Sequence, residues 1–584
     1  MVALLLAGLA GIPSSSDSVH IRINQMGYRP DARKVAVVCA LQPVRLTVFT
    51  IIDAQGRRRF GPAPARGSGA FGPCVETYRL DFSALRREGD YLIVANGVAS
   101  PLVQIASSAY RGAADTLLYY MRQQRSGFNP VFRDSVHKND ARLVDHPTRA
   151  EEFIPVSGGW ADAADYLQYV TTSANATFLL LQAARDHGRA FADLFDARGL
   201  PGPNQVADVL DEARHGLEWL LRMFPEDSLL LNQLGDDRDH SFWDLPVNDS
   251  SDYGWGRGSF RPVYPCTGKP QGLFTSKNRS TGLASTAGKY AAAFALGAAQ
   301  FQTLDPDFAR RLRARAIAAF DTGERHPGVC QTAPGRAPYF YEEENWADDM
   351  ELGAAALYAL TREPRFLQAA QKYAAQEPVT PWMGRDTARH YEFFPWHNNG
   401  HYELSRAAPH LRPALAAYYR RGLEAVAARA GNGFRVGIPF IWCSNNLMAS
   451  FATQAVLYRR MTGDDAFLEL ETAALDWLFG TNPWGMSMVI GLPSRGRTPR
   501  HPHSVMADRL GVATQLGGLV DGPVYRSIFQ NLRGIRLLDD DEYAPFNTGF
   551  IVYHDDLGDY STNEPIMDGT ANLAYLLGAL GAMR

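Results

Sequence analysis

The stretch GGWADAADY, residues 158–166, sets Asp162 and Asp165 three positions apart between Trp160 and Tyr166. In a helix, residues i and i+3 project from one face, so this spacing predicts two carboxylates reaching into a single acidic spot. Elsewhere Trp, Tyr, His, Asp and Asn crowd into GDDRDHSFWDLPVNDSSDYGWGRG, YEFFPWHNNGHYEL, IPFIWCSNN, TNPWGM, RTPRHPHS and YHDDLGDYSTNEP. Sugars need such surroundings: apolar C–H faces stack on rings while hydroxyls take polar partners. Any one of these rings serves equally well to seat a loop on the core, but the whole set points to a carbohydrate.

A net charge of −4 over 584 residues, with no Lys/Arg run, leaves no basic footprint for nucleic acid or for an anionic membrane surface. A neutral partner is expected. The leading MVALLLAGLAG has the length of a signal-peptide h-region, is too short to span a bilayer and lacks a basic n-region. We read it as a remnant of an export signal, which predicts a secreted or periplasmic protein. The five cysteines form no CxxC pair, so neither a thiol redox site nor a zinc ribbon is indicated. Cys39 and Cys74 are close enough in sequence to be bridged within the N-terminal region, the odd count leaves at least one thiol free, and disulfides are expected to be a minor support.

The elements that must position the candidate residues change texture once. From 18 to 105, short alternating apolar runs (KVAVVCA, VRLTVFTII, TYRLDF, DYLIVA) are separated by turn clusters, the pattern of a small antiparallel sandwich. After Ser107, segments with Ala and Leu at three- and four-residue spacing predict about a dozen helices. With no strand regularly between them, these suit a closed toroid of helical hairpins better than an α/β sheet. The expected organisation is a leader over 1–17, a sandwich over 18–105 and a helical catalytic domain over 106–584.

INQMGYRPDARKVAVV, SGGWADAADYLQYV, GTNPWGMSMVIG followed by HPH, and DYSTNEP occur in the order seen in family nine glycoside hydrolases that carry an N-terminal immunoglobulin-like domain. The chain resembles that family over essentially its whole length after the leader. The resemblance implies an all-α (α/α)6 barrel preceded by an all-β immunoglobulin-like sandwich, and inverting hydrolysis of β-linked, mostly β-1,4, glucans. By its place in the motif, Asp165 resembles the general base and Asp162 the partner that helps hold the water. Glu564 matches the general acid, with Asp559 a bracing or charge-tuning neighbour. Trp243 resembles a sugar-stacking platform, His503 a histidine that bonds a sugar hydroxyl, and Tyr560 a neighbouring substrate contact.

Three departures from the pattern stand out. No arginine follows His503, unless Arg500 or Arg509 serves in its place. Ala164 replaces the usual glycine between the aspartates, a change that suits a helix. Relatives with the immunoglobulin-like domain often bind zinc through two Cys and two His, but the equivalent stretch keeps only His137 and His146, so no zinc is expected. The acidic loop 236–252 offers hard oxygen donors compatible with structural calcium, although such loops are commonly just solvated. No cofactor is needed for the chemistry.

The resulting expectation is a secreted endo-β-1,4-glucanase acting on a β-glucan polysaccharide or oligosaccharide. Two alternatives remain open: an exo-acting β-glucosidase or glucosaminidase, with the segments 236–275 or 380–403 closing one end of the cleft, and a non-catalytic carbohydrate-binding protein. The joint presence of Asp162, Asp165 and Glu564 speaks against the second.

Overall fold

The computed structural model describes residues 18–582, so the proposed leader lies outside the described residues. Nine strands between Val19 and Ile105 build two facing sheets. One runs β1 (Val19–Arg22), β2 (Val35–Ala40), β6 (Glu76–Asp81), β5 (Arg66–Gly67). The other runs β4 (Arg58–Pro64), β3 (Val48–Asp53), β7 (Gly89–Ala95), β8 (Val98–Ala99), with β9 (Val103–Ile105) also on β7. Strand β2, VAVVCA, is buried at every residue instead of alternating. Its two faces serve two cores: Ala36, Val38 and Ala40 belong to the sandwich interior, and Val37 and Cys39 to the core of the helical domain. A strand covered on both sides loses the polar half of its pattern.

Among the described residues, twelve helices have nine or more residues: α1 (Ala113–Gln123), α2 (Val170–His187), α3 (Asp208–Met223), α4 (Ala284–Phe301), α5 (Pro306–Arg325), α6 (Ala347–Thr361), α7 (Pro364–Gln376), α8 (Asn399–Ala407), α9 (Arg412–Arg429), α10 (Ser444–Thr462), α11 (Leu468–Leu478) and α12 (Met567–Gly581). The even-numbered six touch in the closed order α2, α4, α6, α8, α10, α12 and back to α2, and each odd-numbered helix packs outside a neighbour in that ring. This is an (α/α)6 barrel. The inner helices are buried nearly all round, α4 (ASTAGKYAAAFALGAAQF) with mostly apolar residues and α8 and α10 with buried Asn and Ser as well, whereas outer helices such as α5 and α9 bury only one stripe. Small residues let the inner ring close. A Cβ on Gly288 of α4 would sit 2.6 Å from the backbone of Asp349 on α6, so a larger residue would push the two helices apart.

The sandwich is fixed to the outer wall of the barrel. Phe71 inserts among Phe434, Phe440, Trp477 and Phe550, and Arg79 donates to the Gly433 carbonyl (2.7 Å) and to Glu469 (2.8 Å). Asn24 Nδ2 donates to Asp476 Oδ1 at 2.7 Å. Two disulfides are present. Cys39–Cys74 lies within the sandwich, and Cys266–Cys330 ties the segment before α4 to the segment before α6, while Cys443 is free and buried. Covalent support is therefore greater than the sequence led us to expect, because the second bridge joins positions 64 apart with no local signature.

Candidate active site

The segments leading into α2, α6, α10 and α12 meet at one end of the barrel around a cleft of about 450 Å³, and the residues that cap the N-termini of α2, α10 and α12 (Tyr169, Cys443 and Ile566) lie on its wall. All six residues singled out in the sequence line this cleft: Asp162, Asp165, Trp243, His503, Tyr560 and Glu564.

The stretch carrying the two aspartates is not helical. Residues 162–166 form a bend, and α2 begins only at Val170. Gly159 starts the bend at φ +75°, where a Cβ would strike the Trp219 ring at 2.5 Å, and Trp160 is locked inside by its Nε1 bond to Glu212 (2.7 Å). These tethers override the helical tendency of ADAAD, so the shared-face expectation, and with it the reading of Ala164 as a helix former, is wrong. The bend itself brings the carboxyls together. Asp162, 2 % exposed, accepts from the hydroxyls of Thr172 and Tyr341, while its backbone carbonyl takes the Met567 N–H of α12 at 2.9 Å. Asp162 makes no backbone cap for α2; it holds a side chain in the first turn. Burial, then the charge of Asp568, pushes its carboxyl well above the usual range against those two donors. Asp165 is half-buried, accepting from the Leu167 N–H at 3.2 Å and meeting His240 Nε2 at 3.0 Å. His240, whose side chain is half exposed, is lifted to about 10: partial desolvation beside the cleft opposes its charge, but the bond to Asp165 and the fields of Asp239, Asp165 and Asp237 outweigh that loss.

Glu564 enters from the last loop. A short antiparallel ladder pairs Leu519 with Ile566 and Val520 with Pro565, and the Ala164 N–H of the bend donates to Glu564 Oε1 at 3.0 Å. Burial first, then the charges of Asp521 and Asp165, push the Glu564 carboxyl well above the usual range. Asp559 is wholly buried and accepts from His554, Ser561 and Thr562, so it braces the loop. Asp521, which the sequence reading missed, also lines the cleft. Its setting, LVDGP, carries no periodicity and no spacing to a second acid in the chain.

Rings surround the cavity. Trp243, 37 % exposed, lies 4.9 Å from His503, and Tyr560 lies between His503 (6.1 Å) and Trp442 (5.4 Å). His390 stacks on Trp442 at 4.3 Å and 13°. Burial lowers both His503 and His390, the latter to about 3, so at neutral pH they present uncharged imidazoles suited to hydroxyl groups. Two ties brace the lining. Trp243 Nε1 donates to Asp508 (3.1 Å), and the Arg533 backbone is held between Tyr339 and Tyr560, its N–H donating to Tyr339 (3.1 Å) and its carbonyl accepting from Tyr560 (2.7 Å). Arg533 lines the cleft, whereas Arg500 pairs with Glu542 and Arg509 donates to the Trp243 carbonyl.

The acidic loop is spent on protein donors. Asp236 pairs with Arg238 and Tyr264, Asp237 takes the N–H groups of Arg336 and Ala337, Asp239 that of Tyr166, Asp244 that of Leu245, Asp249 bonds Ser251 and meets His137, and Asp252 takes those of Gly254 and Gly256. His137 and His146 have separate partners, and among the described residues no three His, Cys, Asp or Glu side chains are grouped to hold a metal ion. These protein donors engage the carboxylates that the sequence offered as possible calcium ligands, leaving Asp239 Oδ1 without a hydrogen-bond partner.

Comparison with known proteins agrees with this fold. Residues 110–577 match the family model described as glycosyl hydrolase family 9, and residues 16–100 match the cellulase N-terminal Ig-like domain. The chain is 26% identical to a xyloglucan-specific endo-β-1,4-glucanase of Bacteroides ovatus, covering 99% of this chain and 97% of that protein. It is 23% identical to a cellodextrinase of Butyrivibrio fibrisolvens, covering 96% and 99%. The crystal structure of a metagenome-derived family 9 endoglucanase superposes with a TM-score of 0.75 at 25% identity, covering 97% of this chain and 99% of that one.

Proposed function

The chain belongs to glycosyl hydrolase family 9, and from that premise we propose that it cleaves β-1,4-glucosidic bonds of glucans, internally and with inversion at the anomeric carbon. The observation that carries this reading is the meeting of Asp165 and Glu564 in one cleft, with different partners and in opposite surroundings. Asp165, beside the cationic His240, is the general base. It takes a proton from a water whose oxygen bonds to the anomeric carbon as the bond to the leaving oxygen breaks. Glu564, short of hydration, gives its proton to that leaving oxygen. An inverting pair stands roughly 6.5–9.5 Å apart to admit the water. Asp162 holds the bend and adds its field beside the water. Trp243, His503 and Tyr560 carry the sugar.

No cofactor enters these steps, and the partner is a β-glucan rather than a nucleic acid or a membrane. Among the described residues no helix is long and apolar enough to cross a membrane. Two disulfides support a secreted or periplasmic setting, where such bonds persist. Similarity to a xyloglucan-specific enzyme makes xyloglucan one substrate to include. A second reading, cleavage near chain ends, takes its support from similarity to a cellodextrinase.

The test is product analysis of wild type and Glu564→Gln on carboxymethyl cellulose, mixed-linkage glucan, xyloglucan and cello-oligosaccharides, with the released anomer read by NMR. The α-anomer should appear first, and the variant should lose about three to four decades of rate. A β-anomer, or a variant as fast as wild type, overturns the reading. Long internal fragments from the polymers separate internal from chain-end cleavage.

A further inference from the structure

In the ladder that brings Glu564 to the cleft, Leu519 faces Ile566 and Val520 faces Pro565. The register continues by one step, because the Asp521 N–H donates to the Glu564 carbonyl at 2.9 Å. Asp521 and Glu564 are therefore cross-strand partners, and both side chains line the same cavity. Directly opposed residues hold their Cβ atoms roughly 4.5–5.5 Å apart. Two carboxyls carried on Cβ atoms that close, Asp521 buried and Glu564 half-buried, cannot both ionise readily, so one proton is shared unequally between them.

The hydrogen bonds decide where it sits. Asp521, 1 % exposed, receives a donor on each oxygen: Cys443 Sγ on Oδ1 at 3.1 Å and Trp442 Nε1 on Oδ2 at 3.2 Å. An indole N–H only donates, so Oδ2 must accept. Glu564 receives one donor, Ala164 N on Oε1, and its other oxygen is free to carry hydrogen toward a glycosidic oxygen. We propose that Asp521 is a positioning residue that, held as an anion by Trp442 and Cys443, keeps the proton on Glu564. This rests on the reading of Glu564 as the acid.

The groups facing the pair do not reverse the assignment. Glu564 faces Asp165 on the bend, His240 on the loop before α4, Tyr120 of α1 and its own neighbour Tyr560. Asp521 faces Cys443 and Trp442 at the entry of α10, Asp568 of α12 and the bracing Asp559. His240 is the one cation in this set, and it is bonded to Asp165. Burial and these negative neighbours push both carboxyls up, and the two donors on Asp521 act against that push.

The experiment is the pH dependence of kcat/KM for wild type and Asp521→Asn on a cello-oligosaccharide and on 2,4-dinitrophenyl β-cellobioside, whose leaving group needs no proton. Removing the anion should move the alkaline limb on the oligosaccharide to lower pH by about one unit, leave KM within about twofold, and spare the activated substrate. An unmoved limb, or equal losses on both substrates, makes Asp521 a mere brace and overturns the proposal. Glu564→Gln run alongside separates the two claims: if it keeps full activity on the oligosaccharide, the acid assignment itself has failed. If Asp521→Asn does not fold, Cys443→Ala, which removes a donor but no charge, must lower the kcat/KM plateau on the oligosaccharide while sparing the activated substrate, because more of the shared proton then rests on Asp521. An unchanged plateau there also overturns the proposal.

Discussion

Two groups of buried carboxyls sit within the same ring of helices and are wired in opposite ways. Between α4 and α6, Lys289 reaches Asp349 at 2.6 Å and also meets Glu343, all three nearly inaccessible to solvent. Burial works against the lysine's charge, yet the two carboxylates raise its pKa. At the cleft, Asp162, Asp521 and Glu564 have only hydroxyl, thiol, indole and amide donors. Cationic partners fix a charge permanently, whereas neutral donors leave protonation to be set by solvent and neighbours. The first arrangement holds helices together; the second keeps a proton available for transfer.

Substitutions at each place can break or sharpen that contrast. The largest effect belongs to Glu564→Gln, where the loss of about three to four decades of rate should come with an unchanged melting temperature. A large drop in stability would put Glu564 with the structural group. Lys289→Met should do the reverse. Leaving Glu343 and Asp349 buried without a cation costs about 3–5 kcal/mol of stability, measured by denaturant unfolding, while kcat of the folded fraction changes little.

Asp476, at the seam with the sandwich, tests the middle ground. Burial raises its pKa to about 7, opposed by Asn24 and Arg79. Between about pH 4 and pH 7 the folded state then holds a proton that the unfolded state has released, so this group's contribution to stability falls as pH rises through that window. Asp476→Asn should flatten the slope and raise stability at pH 7.5 by about 1–3 kcal/mol, read from thermal melts across the range. An unchanged slope would mean the carboxyl is ionised throughout. The smallest effect is expected from Trp243→Ala. Loss of a stacking face worth about 0.5–1.5 kcal/mol should raise KM by about two- to tenfold with kcat preserved.

The sequence disclosed the elements better than the joints between them. Ala/Leu periodicity marks most of the inner helices because burial on all sides leaves few other residues to choose, but it missed α8, whose NGHYELSRA reads as part of a polar-aromatic loop, and β2 reads as a strand from its β-branched run. Asp162 and Asp165 were visible as a pair, but not the bend that unites them, since that bend depends on Trp160 bonded to Glu212 and on Gly159 lying against the Trp219 ring, partners that come from another segment. Asp521 and the Cys266–Cys330 bridge went unseen for the same reason: each acquires meaning only from a partner brought close by the fold. The acidic loop stayed ambiguous in the sequence because composition alone does not distinguish free oxygen donors from those already satisfied by backbone amides.

The seating of Phe71 in an aromatic nest formed by Phe434, Phe440, Trp477 and Phe550 leaves no hinge between sandwich and barrel. The two halves should melt in a single cooperative transition, and cutting the chain near residue 106 should yield an aggregating fragment rather than a smaller enzyme. Any breathing that admits a bulky or branched polymer must then come from the rim segments around Trp243 and Arg533, because rigid-body rotation of one half against the other would tear open a shared interior.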